Sequence, residues 1–327
     1  MRRRAVITLL GAAAAAWPRV ARAQQPMPVI GFLHSGSPDL PLAAQGMMAF
    51  REGLSETGFA EGRNVAIQYR WAGDHHEDFR TLAVDLTQRG VRVIAAVGSP
   101  AVTAAKAATS SIPIAFLVGV DPVLFGLVDS LARPGGNLTG ATNFSLEIGP
   151  KRLELMVELL GSRRRLAVLL NPRSVATESA ARSLKNAAQA LGLDLHLAYA
   201  GGEEEFAPRI AELVQLGVAG LMISGDPFFN SQGERLGALS LQHALPTIYQ
   251  SSEFTAAGGL ISYGTSFAEL YRLVGVYTGR ILKGEKPADL PVQQATRFDL
   301  TINLKTAAAI GITFPTSLLA RTDEVIE

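Results

Sequence analysis

Residues 93–118 read VIAAVGSPAVTAAKAATSSIPIAFLV. An apolar run, Val93–Val97, ends at Gly98-Ser99-Pro100, an alanine-rich stretch of helical period follows at Ala101–Ala108, and Ile112-Pro113-Ile114 opens a second apolar run, Ile114–Val118. Strand, tight turn, helix and strand is the unit of a parallel sheet, and apolar runs without alternation belong to strands covered on both faces. The same grammar recurs as Gly220–Ser224, Gly225-Asp226-Pro227, a helix at Gly233–His243, and Leu245-Pro246-Thr247 leading into Thr247–Tyr249. One such unit in each half of the chain predicts an α/β protein of two lobes, each a parallel sheet covered by helices.

The flanking pattern extends both lobes. Val29–Leu33 and Val65–Tyr69 read as strands, Leu42–Thr57 and Phe79–Arg89 as helices, the former stopped at Gly58. A short helix is expected after Val118, and Arg133-Pro134-Gly135-Gly136-Asn137 is a turn that ends the first half. Beyond it come helix Lys151–Leu160, strand Leu166–Leu170, helix Glu178–Leu191, strand Asp194–Tyr199 and helix Phe206–Leu216. Phe267–Leu282 is a further helix that needs a sheet to cover, and the first lobe has room for it. The expected division is a leader at residues 1–23, an N-terminal lobe of residues 24–143 with 264–284, and a C-terminal lobe of 144–263 with 285–327. Crossings between lobes are expected near Asn143–Gly149, near Ser251–Thr265 and beyond Lys283.

Arg2, Arg3 and Arg4, the apolar run Ala5–Trp17 and the small residues of Ala21-Arg22-Ala23 form a signal peptide expected to be cleaved after Ala23. The apolar run is shorter than the roughly 20 residues of a membrane-spanning helix. Arg3-Arg4-Ala5-Val6-Ile7 fits either a twin-arginine or an ordinary export signal. With no cysteine in the chain, a lipid anchor at the cleavage site is excluded, and a soluble periplasmic protein without disulfides is expected. Removing residues 1–23 takes away five arginines and no acid, leaving 25 basic against 29 acidic side chains. That balance argues against a nucleic-acid partner.

In open parallel sheets ligands bind beyond the carboxyl ends of the strands, where loops turn into helix N-termini. Those ends carry His34-Ser35-Gly36-Ser37, Gly98-Ser99, Asn171-Pro172-Arg173-Ser174 and Ser224-Gly225-Asp226. Each Ser or Asp taken singly reads as a helix cap; their accumulation on both lobes suits a small carboxylate, with Ser35, Ser37 and Ser99 as hydroxyl donors. Phe144, Phe228, Phe229, Tyr249, Phe254 and Tyr263 are aromatic candidates near the same ends, Phe144, Phe228 and Tyr263 being those expected to enclose a ring. Asp121, Asp226 or Glu253 would accept from an amino group.

Enzyme signatures are missing: there is no Gly-x-Ser-x-Gly elbow, dinucleotide glycine pattern or phosphate loop. Asp74-His75-His76-Glu77-Asp78 has adjacent histidines, which point about 100° apart on a helix and so suit a solvated cap better than a metal. His34 has the chemistry of a general base but no nucleophile assignable by spacing. No catalytic residue, metal or cofactor is expected.

The stretch Pro28-Val29-Ile30-Gly31-Phe32-Leu33-His34-Ser35-Gly36-Ser37-Pro38 resembles the opening of the ABC-transporter substrate-binding protein family that includes tryptophan and aromatic-amino-acid binders. Arg133-Pro134-Gly135-Gly136-Asn137-Leu138-Thr139-Gly140, Asp226-Pro227-Phe228-Phe229-Asn230 and Ala256-Ala257-Gly258-Gly259-Leu260-Ile261-Ser262-Tyr263-Gly264 are similar to it too, as is Leu319-Ala320-Arg321-Thr322-Asp323-Glu324-Val325-Ile326. The resemblance implies a type I periplasmic-binding fold, two doubly wound parallel-sheet lobes joined by a multi-strand hinge, and a cleft lined by the loops of Ser35, Ser99, Asp121, Phe144, Asn171, Asp226, Glu253 and Tyr263. It implies an importer's permease and ATPase as partners, membrane contact through the permease alone, and a monomer. Gly98-Ser99-Pro100 departs from the family pattern, in which threonine precedes the proline, and so does Ala295. A sensory receptor feeding a kinase or chemoreceptor uses the same clamp and is the alternative; a hydrolase or deaminase on this fold is the third reading.

Overall fold

The computed structural model describes residues 27–39, 41–73, 78–144, 148–161 and 165–327. The leader expected at residues 1–23 and residues 74–77 of the Asp74–Asp78 cluster lie outside the described residues.

The first lobe opens β1 (Val29–His34), α1 (Pro41–Glu56), β2 (Ala66–Trp71), α2 (Phe79–Gln88), β3 (Val93–Val97), α3 (Ser99–Ala108), β4 (Ile114–Val118) and β5 (Leu138–Thr142). The second runs α4 (Gly149–Leu160), β6 (Arg165–Leu170), α5 (Thr177–Ala190), β7 (Asp194–Tyr199), α6 (Phe206–Gln215) and β8 (Gly220–Ile223). It continues through α7 (Pro227–Ser231), α8 (Gly233–Gln242), β9 (Thr247–Tyr249), α9 (Ser252–Ala256) and β10 (Ile261–Gly264). Then come α10 (Phe267–Leu282), β11 (Gln293–Gln294), β12 (Asp299–Asn303), α11 (Leu304–Ile310), α12 (Thr316–Leu319) and β13 (Glu324–Ile326).

Two sheets result, ordered β11-β5-β4-β3-β1-β2 and β13-β12-β10-β9-β8-β6-β7. Reading each from its second strand, both lobes carry the order 2-1-3-4-5, so the repeated strand–turn–helix–strand grammar occupies equivalent places. The pairs are parallel except β10 with β12. Both faces of the first sheet are covered at its centre, which is why β3 and β4 read as unbroken apolar runs. Ile94 and Ala96 face Ala83, Leu86, Val102 and Ala105, whereas Val93, Ala95 and Val97 join Phe50, Leu54, Leu270 and Val274 on the other side. In the second lobe Leu166 and Val168 meet Met156, Leu159 and Leu184, and Ala167 and Leu169 meet Phe206, Ile210 and Leu213.

Three departures from expectation have physical causes. No helix follows Val118; Asp121 Oδ1 instead accepts from Val123 N–H and Leu124 N–H, which caps a turn. β5, unanticipated, follows the Arg133–Asn137 turn, fully buried although LTGAT is poor in large apolar side chains. Its Gly140 lies against the Phe116 backbone, where a Cβ would sit 2.0 Å from the carbonyl oxygen. Residues 285–294, expected on the second lobe, stay on the first: Thr139 Oγ1 donates to Leu290 O at 2.6 Å, Tyr277 Oη to Pro291 O at 2.6 Å, and β11 pairs with β5. A polar two-residue strand has no sequence period by which to place it. The chain therefore changes sheets between β5 and α4, between β10 and α10, and between β11 and β12.

α10 rests on α1 through small residues. A Cβ on Gly53 would come 1.9 Å from Arg272 O, one on Gly275 2.1 Å from Phe50 O, and one on Gly279 1.8 Å from Thr57 Oγ1. Among the described residues no helix is long and apolar enough to cross a membrane.

Gly53→Ala gains helix propensity but drives a methyl into a backbone carbonyl that no rotamer change can move. We expect a net loss of about 1–3 kcal/mol in urea unfolding. Gly136→Ala, which meets nothing within 4 Å, should stay within about 0.5 kcal/mol of the parent.

Candidate functional site

In a 2-1-3-4-5 sheet the connections leave β1 and β3 in opposite directions, so the loops after these strands diverge and leave a crevice. A cavity of about 900 Å³, including space open to solvent, lies where such crevices of both lobes meet. His34, Ser35 and Gly36 come from the end of β1, and Gly98, Ser99 and Pro100 from the start of α3. From the second lobe come Ser174–Ala176 beyond β6, Gly225–Pro227 beyond β8, and Gln250 after β9.

On the first lobe, Gly98 carries φ +94° and its missing side chain makes room for Ser35, whose Oγ would lie 2.1 Å from a Cβ there. Ser35 N–H donates to Val97 O, so its hydroxyl is the group the loop can offer. α3 starts at Ser99, and the first N–H groups of a helix have no intrahelical acceptor. Pro100 has no N–H, which leaves the amides of Ser99 and Ala101 at that end.

His34 is buried beneath these loops. Its Nδ1 accepts from Gly36 N–H at 2.7 Å, and its Nε2 lies 2.5 Å from Tyr271 Oη. Burial pushes its pKa down to about 3, so the imidazole is neutral. Burial also raises the Tyr271 phenol, with a smaller contribution from the Glu253 carboxylate. Tyr271 and Phe267, four residues apart on one face of α10, form an aromatic wall of the cavity.

On the second lobe, Asp226 Oδ1 accepts from Asn171 Nδ2 and from Phe228 N–H, both at 2.9 Å. Tyr249 Oη and Gln250 Nε2 both donate to Asn230 Oδ1. Behind this wall, wholly buried Arg152 donates from Nε to Tyr263 O at 2.8 Å, next to the second crossing. Burial pushes its pKa down to about 10.

Of the residues singled out from sequence, Ser35, Ser99 and Asp226 line the cavity, and Asn171 stands behind Asp226. His34, which has the chemistry of a general base, lines it too, and the other ligand candidates do not. Ser37 lies on the β1 loop with Oγ 3.5 Å from Asp39, and Asp121 caps its turn. Phe144 sits at the first crossing with φ +46°. Phe228 packs into the core on Phe206 and Phe229, and Tyr263 stacks on Phe298. Glu253 lines an adjoining polar cleft that shares Gln250 and Phe267 with the cavity; burial raises its carboxyl. Phe267, Tyr271, Asn230 and Gln250 were not anticipated. The i, i+4 spacing on α10 was visible, but only the fold turns that face toward the cavity.

A family model described as ABC transporter substrate binding protein matches residues 37–326. The tyrosine-binding protein of Clostridioides difficile is 26% identical over 275 residues, which cover 84% of this chain and 78% of that protein. A conserved domain protein from Vibrio cholerae superposes with a TM-score of 0.85 at 25% identity, over 91% of this chain and 99% of that one. The ligand-free, open structure of a Clostridium difficile substrate binding protein with adhesive properties gives 0.66 at the same identity and coverage. With two doubly wound lobes, a shared cavity at their strand ends and a family match across nearly the whole chain, this protein belongs to the ABC transporter substrate binding proteins and is a binding protein, not an enzyme.

Proposed function

We propose that this chain is the periplasmic receptor of an ABC importer and holds a small organic carboxylate, an amino acid with an aromatic side chain, in the cavity between its lobes. The observation that carries this reading is the division of chemistry across the cavity. The first lobe presents donors: the α3 amides and the Ser35 and Ser99 hydroxyls. The second presents the acceptor Asp226. A carboxylate suits the former and an ammonium the latter.

Phe267 and Tyr271 supply the apolar wall, and burying an aromatic ring there contributes about 1.5–3 kcal/mol. The relative in Clostridioides difficile named for tyrosine binding supports an aromatic amino acid. The lower similarity to the open, ligand-free structure, at equal identity and coverage, supports a closed arrangement of the lobes here. Delivery to a permease and its ATPase, export by the leader, and action as a monomer complete the proposal.

Denaturing the purified protein and identifying the released compound by mass spectrometry tests the ligand directly; an aromatic amino acid or related acid is expected. Calorimetry that finds a neutral sugar or a metal ion bound tightly while every carboxylate is inert overturns the reading. Ser99→Glu should weaken carboxylate binding by roughly 100-fold or more through like-charge repulsion, with an unchanged circular dichroism spectrum. Because His34 gains a proton only near pH 3, affinity should show no histidine step between pH 8 and pH 5. Glu253→Gln run in parallel removes the neighbouring carboxyl from that comparison. Affinity that rises through pH 6.5 in both proteins contradicts the neutral floor.

A further inference from the structure

The His34–Tyr271 pair has a single consistent arrangement of protons. Gly36 N–H points at His34 Nδ1 from 2.7 Å, so Nδ1 presents its lone pair and carries no hydrogen. A neutral imidazole then holds its proton on Nε2. Nε2 is 2.5 Å from Tyr271 Oη, so that N–H donates and the phenol oxygen accepts. Two hydrogens cannot occupy one hydrogen bond; the Tyr271 O–H hydrogen must turn away from His34.

No protein acceptor receives it among the described residues, for the bond to His34 is the one that Tyr271 Oη makes. The ring is held in place as well. It packs against α1 at Gly46, where a Cβ would lie 2.7 Å from its Cζ, and lies near the His34 ring at a centroid distance of 6.0 Å. Tyr271 lines the cavity.

We propose that the Tyr271 hydroxyl is an oriented hydrogen-bond donor for an acceptor oxygen of the ligand, with His34 as the positioning residue that sets its direction. The cavity then favours an oxygen acceptor at this point over an N–H or ammonium donor, which would leave two hydrogens facing each other. This rests on the reading that the cavity holds an amino acid. The acceptor oxygen belongs either to the carboxylate or to a ring hydroxyl, and the two differ in the test.

Titrate L-tyrosine, L-phenylalanine and L-tryptophan into the wild type and Tyr271→Phe by calorimetry. A uniform loss of roughly 10- to 100-fold, the size expected for a bond to a charged group, assigns the carboxylate. A loss confined to L-tyrosine assigns the ring hydroxyl. His34→Phe should weaken the wild type and add nothing in the Tyr271→Phe background, and His34→Gln, which returns a donor near Nε2, should restore part of the affinity. Long-range 1H–15N spectra of ring-labelled protein should place the His34 proton on Nε2. Affinities unchanged by Tyr271→Phe, or a proton found on Nδ1, overturn the proposal. If the wild type binds none of the three amino acids, the functional reading fails, while the spectra still decide the proton arrangement.

Discussion

The close contact of α10 with α1 is the constraint on which the architecture turns. After β10 the chain leaves the second sheet, and α10 packs on α1 where Gly53 and Gly275 let the two helix backbones approach without side chains between them and Gly279 makes room for Thr57. Returning to the first lobe makes a second crossing. Leaving it again through β11 makes a third. A single linker would leave the lobes independent; three crossings tie them together at three points. The same contact sets Phe267 and Tyr271 at the cavity, so the helix that follows the second crossing also forms part of the wall.

The first lobe's polar chemistry follows from strand order. Where connections diverge on either side of β1 and β3 a crevice opens, and the start of α3 lines it. Gly98 is indispensable there for two reasons: φ +94° and the proximity of Ser35 Oγ. Beneath, a histidine kept neutral by burial passes its N–H to a tyrosine. A charged imidazolium buried in that position would need an anionic partner.

Backbone placement was legible in the sequence to a degree that side-chain direction was not. The apolar run at Val29–Leu33 located β1 and with it Ser35, and runs bounded by Gly-Ser-Pro and Gly-Asp-Pro located β3, α3 and β8 and with them Ser99 and Asp226, because residues at strand ends reach the crevice whatever their rotamer. Phe228 is one peptide beyond Pro227, yet it points into the core; in the first turn of α7 a step of about 100° carries the side chain from cavity to interior. Tyr263 and Phe144 fail for a related reason: both sit at crossings, where the direction of the chain depends on the other lobe. Tyr271 was hidden differently. Its helix was recognised, but which face meets the cavity depends on packing against α1, 225 residues earlier for the Gly46 contact.

The asymmetry between the walls links recognition to closure. Donors lie on the first lobe, in the α3 amides, the two serines and the outward Tyr271 O–H; the carboxylate of Asp226 lies on the second. A zwitterion on the first lobe alone satisfies its carboxylate and leaves its ammonium to water. On the second alone it does the reverse. Both charges are matched only when the lobes approach, as they do here, where Pro227 comes within 3.6 Å of a Cβ built on Gly98. Each charge-assisted bond is stronger once water is excluded, so such a ligand shifts the balance toward the closed form by its differential affinity for the two. On the proposed reading, a compound carrying only the anion would meet the donors of the first lobe but would have no term that draws the second toward it.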